Sequence, residues 1–305
     1  MSFTNFPNGI TSLGVPTIGG GNIPITNGSY YFVDGTNGLD GNDGVSLDSS
    51  KKTIKAAVAV AAANSVILVA PGTYTEAAIT ISVANVHIIG LGSLKQIVVS
   101  SATDVDTITI TSSGCEIANI YFRPPVNTSP STTFHASIVL NNAPYTNIHD
   151  CRFQGQANSV VAIYSATDNG SDNVTIANNV FAYMNTATYG SAINCVETLG
   201  FNYSSWKVLG NFFTSCVKNL VLPSRVSLIQ GNNFGSAGIT SAGAEGAVTT
   251  TGCNLSGTNS GANQVHGNYL GGTYSSAGGG YTVGTAGDDW AGNFNIAGIT
   301  AANPA

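Results

Sequence analysis

The stretch Val226-Ser227-Leu228-Ile229-Gln230-Gly231-Asn232-Asn233-Phe234 decides how this chain folds, because its pattern recurs. Taking Phe234 as the closing residue, Phe122, Phe153, Phe181, Phe213 and Leu270 close similar phrases. Five residues before each closer stands a β-branched aliphatic: Ile117, Ile148, Ile176, Val208, Ile229 and Val265. Three before stands a turn-former: Asn119, Asp150, Asn178, Gly210, Gly231 and Gly267. Two before, in the last four copies, stands asparagine: Asn179, Asn211, Asn232 and Asn268. Degraded copies flank the set at Ile88-Ile89-Gly90 and Trp290-Ala291-Gly292-Asn293.

The closers are 31, 28, 32, 21 and 36 residues apart. A repeat of that period with variable insertions marks a solenoid. Each unit reads as strand, tight bend, strand, since Gly, Asn and Asp accept the left-handed backbone of a sharp turn. Coils stacked at about 4.8 Å, the ordinary inter-strand spacing, would place the aliphatic and aromatic positions in internal columns. An asparagine at one fixed place can then bond to its counterparts above and below. The expected architecture is a parallel β-helix. A β-sandwich would show alternation and hairpin turns, not the same residue types at the same offsets six times.

Composition agrees. The 305 residues are 43% hydrophobic but only 8% charged, with 37 glycines, where an ordinary globular chain carries about 25% charged residues. Each coil of a solenoid touches only its neighbours, so one continuous structure of this length is plausible. Net charge is −6, and the nine Lys and Arg form no cluster beyond Lys51-Lys52. Nucleic-acid binding needs a basic footprint and is not expected. The five cysteines, without CxxC, read as buried thiols rather than a disulfide or metal framework. No secretory signal or membrane-spanning run is expected.

Three segments follow. Residues 1–28 form an extended, glycine- and proline-containing arm whose spaced Phe3, Phe6, Pro7, Ile10, Leu13 and Val15 suit attachment to a partner. Residues 29–78 form an opening cassette: strand Tyr31-Phe32-Val33, a loop with Asp34, Asp40 and Asp43, an Ala-rich helix over Lys51–Ala63 presenting Ile54, Val58 and Ala61, a buried strand Val66–Val69, and Pro71-Gly72-Thr73-Tyr74 leading outward. The helix would cover the open end of the first coil. Residues 79–305 are the coils, weakening after residue 235 into Gly-, Ala- and Ser-rich sequence.

The order "YFVDGTNGLDGNDG … KKTIKAAVAVAA … VILVAPGTYTE" resembles the N-terminal cassette of pectin-lyase-like right-handed parallel β-helix proteins. That resemblance implies a right-handed coil with a short capping helix. The arm "FPNGITSLGVPTIGGG", with "YFVDG…GNDG", is similar to the opening of structural proteins of tailed bacteriophages. It implies a non-enzymatic virion protein, a capsid decoration or head-fibre subunit. By analogy this would be a homotrimer meeting a major capsid or other virion protein. The alternative is a tailspike or tail-fibre depolymerase, or a receptor protein that binds a host surface glycan.

An enzyme of this fold would need suitably placed acids. Glycoside hydrolysis needs two carboxylates flanking one bond, and calcium-dependent lyase chemistry needs an acidic metal cluster and a basic proton acceptor. Coil acids are Asp104, Asp106, Glu116, Asp150, Asp168, Asp172 and Glu197. Asp168, Asp172 and Glu197 could converge, but read as exposed loop acids. The hydrolase motifs Asn-Thr-Asp, Asp-Asp, Gly-His-Gly and Arg-Ile-Lys do not occur in order; Asp288-Asp289 stands alone. Of the histidines His87, His135, His149 and His266, the last two share a repeat position on non-adjacent coils and cannot share a metal. The Asp34–Asp43 loop lacks EF-hand spacing and reads as Asx-turns. No catalytic residue, cofactor or metal is therefore expected.

Overall fold

The computed structural model describes residues 11–12, 15–16, 24, 26–76, 78–128, 134–156, 158–165, 170–184, 190–196, 203–235, 251–271, 281–295 and 298–301. Three long sheets run side by side. The first contains Tyr30–Val33, Val66–Val69 and His87–Gly90, then Glu116–Ala118 and one strand per coil up to Asp289–Ala291. The second runs from Gly72–Glu76 through Tyr121–Arg123 to Phe294–Asn295, and the third from Ile79–Ile81 to Tyr281–Thr282. Each strand pairs in parallel with its counterpart one coil away. The chain is a right-handed parallel β-helix, as the repeat implies.

The columns follow the offsets read from sequence. Ile117, Ile148, Ile176, Val208, Ile229 and Val265 are consecutive register partners. The column continues down through Ile88 to Ile67 and up to Trp290, so both degraded phrases are true rungs. Phe122, Phe153, Phe181, Phe213 and Phe234 stack at centroid distances of 5.1, 5.0, 5.0 and 5.1 Å with nearly parallel planes. Between the two columns, Asn119, Asp150, Asn178, Gly210, Gly231, Gly267 and Gly292 all have φ of 53–66°. That left-handed step turns the chain sharply enough to change sheets, and explains why only Asn, Asp and Gly stand there.

The next residue builds a ladder. The side-chain oxygen of Asn211 accepts from the backbone N–H of Asn179 at 2.9 Å and from its amide at 3.1 Å, while Asn211 donates to the Ile176 carbonyl at 2.8 Å. Asn232, Asn268 and Asn293 repeat the arrangement. At its foot Cys151, in the asparagine position, still donates its backbone N–H to Asn179. All five cysteines are buried free thiols; burial pushes Cys151 and Cys216 up to about 12, so they serve as packing groups rather than nucleophiles.

The capping helix is shorter than Lys51–Ala63, spanning Ile54–Val60. Lys51 instead extends the sheet, bridging to Val33 and donating its N–H to Phe32. Asp40 takes the N–H groups of Lys52 and Thr53, and Thr53 caps the helix by accepting from Ala56. Ile54, Ala57 and Val58 face the core, whereas Ala61 has left the helix for an extended conformation. The buried carboxyl of Glu76 accepts from Ile54 N–H at 2.7 Å; burial raises its pKa against the opposing pull of these amide bonds.

In the arm, Thr11–Ser12 pairs antiparallel with Val15–Pro16, which places the backbone of Val15. Phe3, Phe6, Pro7, Ile10 and Leu13 lie outside the described residues. At the other end, Phe294–Asn295 pairs antiparallel with Gly298–Ala301, so the described coil finishes on a reversal.

Candidate acid–base site

Outward residues of the first sheet also form columns. One runs Val66, His87, Glu116, Asn147, Thr175 and Lys207; its neighbour runs Leu68, Ile89, Ala118, His149, Ala177 and Leu209. The lowest of these positions are apolar and buried: Val66, Leu68, Ile89 and Ala118 cluster with Tyr30, Phe32 and Leu91. Directly above that apolar floor, the polarity changes.

There, Glu116 sits between two imidazoles. Its Oε2 is 2.7 Å from Nδ1 of His87, one rung below, and its Oε1 is 2.8 Å from Nε2 of His149, diagonally above. His149 Nδ1 is 2.7 Å from Asp150 Oδ2. Burial tends to raise the Glu116 pKa, but the hydrogen bonds from His149 and His87, and the positive charge either imidazole carries when protonated, outweigh it and bring it to about 2. The carboxylate bonded to His149 raises that histidine's pKa, with Asp150 adding to it and burial opposing. An ionised carboxylate only accepts, so each imidazole nitrogen facing one carries a proton. His149, bonded at both nitrogens, is thereby held as imidazolium. His87 is held as the Nδ1–H tautomer, and its Nε2 makes no hydrogen bond to a described residue.

These shifts imply a pH window. The Glu116 pKa is depressed, so its contribution to stability is present above its ordinary 4.5 and is lost as pH falls toward about 2. The His149 pKa is raised, so its contribution is present below its ordinary 6.5 and is lost as pH rises through the folded value. The difference in melting temperature between the parent chain and Glu116→Gln should therefore peak between pH 4.5 and 6.5. A difference that does not vary with pH, followed by scanning calorimetry, contradicts the coupled assignment.

Other candidate residues serve the backbone. Asp34 accepts from the N–H of Thr36 and Asn37, and Asp43 from Val45 N–H and the Ser49 hydroxyl, both Asx-turns, while Asp40 ties the loop to the helix start through the N–H groups of Lys52 and Thr53. Among the described residues no group of three or more His, Cys, Asp or Glu could hold a metal. Asp172 accepts from Ser204 N–H at 2.8 Å, while Asp168 and Glu197 lie outside the described residues. Asp104 is bonded to Thr128, and Asp106 accepts from Ala136 N–H with His135 Nδ1 3.5 Å away. His266 pairs with Asp289 at 2.9 Å, far up the same face and apart from His149.

No protein-family model matches the chain, and no curated protein matches it in sequence. Solved structures do. The alginate lyase from Paenibacillus sp. str. FPU-7 matches with a TM-score of 0.56 at 14% identity, over 82% of this chain and 96% of that one. The chain has the pectin-lyase-like fold. The pectin methylesterase from Aspergillus niger is similar at a TM-score of 0.48 and 15% identity, covering 92% and 93%, and PemA from Erwinia chrysanthemi at 0.42 and 14%, covering 90% and 81%.

The expectation of a non-enzymatic protein is corrected here. The alginate lyase that shares this coil at a TM-score of 0.56 is an enzyme. The described face also brings Glu116 together with His87 and His149, a meeting the sequence reading did not anticipate. At such low identity the likeness itself shows the fold alone. The resemblance of the opening stretch to phage virion proteins gains no support from these comparisons. Sequence reasoning had Glu116 and the histidines but not their meeting. The available signal was that His87 and Glu116 each stand one residue before a column aliphatic, Ile88 and Ile117.

Proposed function

We propose that this chain binds and cleaves a polysaccharide at the outer face of its first sheet, with His87 as general base. The observation that carries the reading is the 2.7 Å bond from His87 Nδ1 to Glu116, which leaves Nε2 as a positioned proton acceptor. When His87 takes a proton, Glu116 stabilises the imidazolium, as a carboxylate does for any oriented histidine base. His149, clamped by Asp150, fixes the other oxygen of Glu116 and so the direction of the pair. The similarity in fold to polysaccharide-acting proteins supports a glycan as substrate.

The two-carboxylate route of glycoside hydrolysis fits poorly. Its acid must hold a proton near neutral pH through a raised pKa, whereas Glu116 is driven down to about 2. Base-initiated cleavage remains, either elimination at a sugar acid or hydrolysis of an ester. Incubation with alginate, polygalacturonate and methyl-esterified pectin, read by absorbance of unsaturated ends and by acid release, separates the two. Turnover by the parent chain and a fall in kcat/KM of about 100-fold in His87→Gln are expected for loss of a general base. Absence of turnover on all three polymers, or full activity in His87→Gln, overturns the reading.

A further inference from the structure

The second sheet carries an outward column that the acid–base site does not use. Rung by rung it reads Val180, Phe212, Asn233, Tyr269, Phe294. Phe212, Tyr269 and Phe294 are 44%, 53% and 42% exposed, while their sequence neighbours Phe213 and Leu270 are fully buried in the coil. A half-solvated β-face normally presents polar residues outward, so aromatic rings on the wet side at three of four successive rungs call for a ligand. Lower in the same column, the Arg152 guanidinium lies 6.0 Å over the Tyr121 ring.

We infer that this column is a stacking platform for a saccharide chain laid along the coil axis. The C–H groups of a pyranose face carry partial positive charge and are drawn to the negative face of an aromatic ring. Tyr269 and Phe294, on adjacent rungs, have centroids 5.9 Å apart, and rungs rise by about 4.8 Å, close to the rise per sugar of an extended glycan. Size argues against a second copy of the chain as occupant. Three half-exposed rings offer roughly 300 Å², against about 800 Å² per partner in a stable protein interface.

The platform holds a glycan whether or not His87 cleaves it, so binding is measured separately from turnover. The experiment titrates hexamers of mannuronate, galacturonate and β-1,4-glucan into the His87→Gln chain by calorimetry, alone and with Phe212→Ala, Tyr269→Ala or Phe294→Ala. At least one hexamer should bind. Each alanine should weaken it about tenfold, the loss of one ring contact, with unchanged melting temperature, and Tyr269→Trp should restore affinity. Failure of all three hexamers to bind, or equal affinity in the alanine variants, overturns the platform. Light scattering showing an oligomer that Tyr269→Ala dissociates also overturns it, assigning the face to self-association.

Discussion

Asn211→Ala should lower the unfolding free energy by about 4 kcal/mol, because it leaves buried polar groups without partners. Asn211 is almost wholly buried and works in both directions. Its oxygen takes the N–H and the amide of Asn179, and its own amide serves the Ile176 carbonyl and the Asn232 oxygen. Each orphaned buried donor or acceptor costs about 1–3 kcal/mol, and two donors lose their acceptor outright. Asn211→Asp should be no milder, since a carboxylate accepts but cannot donate and brings a buried charge. Gln230→Ala, on the exposed face of the neighbouring coil, is the control and should stay within about 0.5 kcal/mol. Urea denaturation followed by circular dichroism reads the series. A loss under 1 kcal/mol for Asn211→Ala would falsify the ladder as a source of stability.

Phe181→Ala should cost about 3–5 kcal/mol, as expected for an aromatic removed from a closed core. Phe181 sits mid-stack, 5.0 Å from Phe153 below and 5.0 Å from Phe213 above, and is fully buried. Its neighbours are pinned by their own strands and cannot collapse into the gap. Phe181→Leu keeps most of the volume and should cost less than half as much. Phe294→Ala, on the wet face of the same sheet, should barely register. Comparable losses at Phe181 and Phe294, measured by the same denaturation, would show that the stack does not form the core.

The coil was readable because a solenoid repeats its chemistry at fixed offsets. Ile229, Gly231, Asn232 and Phe234 each perform one task per coil, so the sequence shows the register before any coordinates exist. The cap was partly readable: Ile54 and Val58 face inward as the helical period implies. Its limits were not, because the edge of the first sheet claims both the N–H and the carbonyl of Lys51, and Thr53 stays extended as the cap. The acid–base cluster was the hardest to see. Glu116 meets His87 straight across a rung and His149 on the diagonal. Comparing like positions between coils finds the first contact and misses the second. The shared offset of His149 and His266 did place them on non-adjacent coils, as the register shows.

The asparagine ladder has a direction. In every step the lower asparagine's N–H and the lower coil's carbonyl are both satisfied by the side chain of the asparagine above, from Asn179 and Asn211 on to Asn293. A turn emerging from the ribosome is thus sealed only when its successor arrives, and folding advances in the order of synthesis, one turn in arrears. A nascent chain halted within the ladder carries its unquenched rung at the growing end.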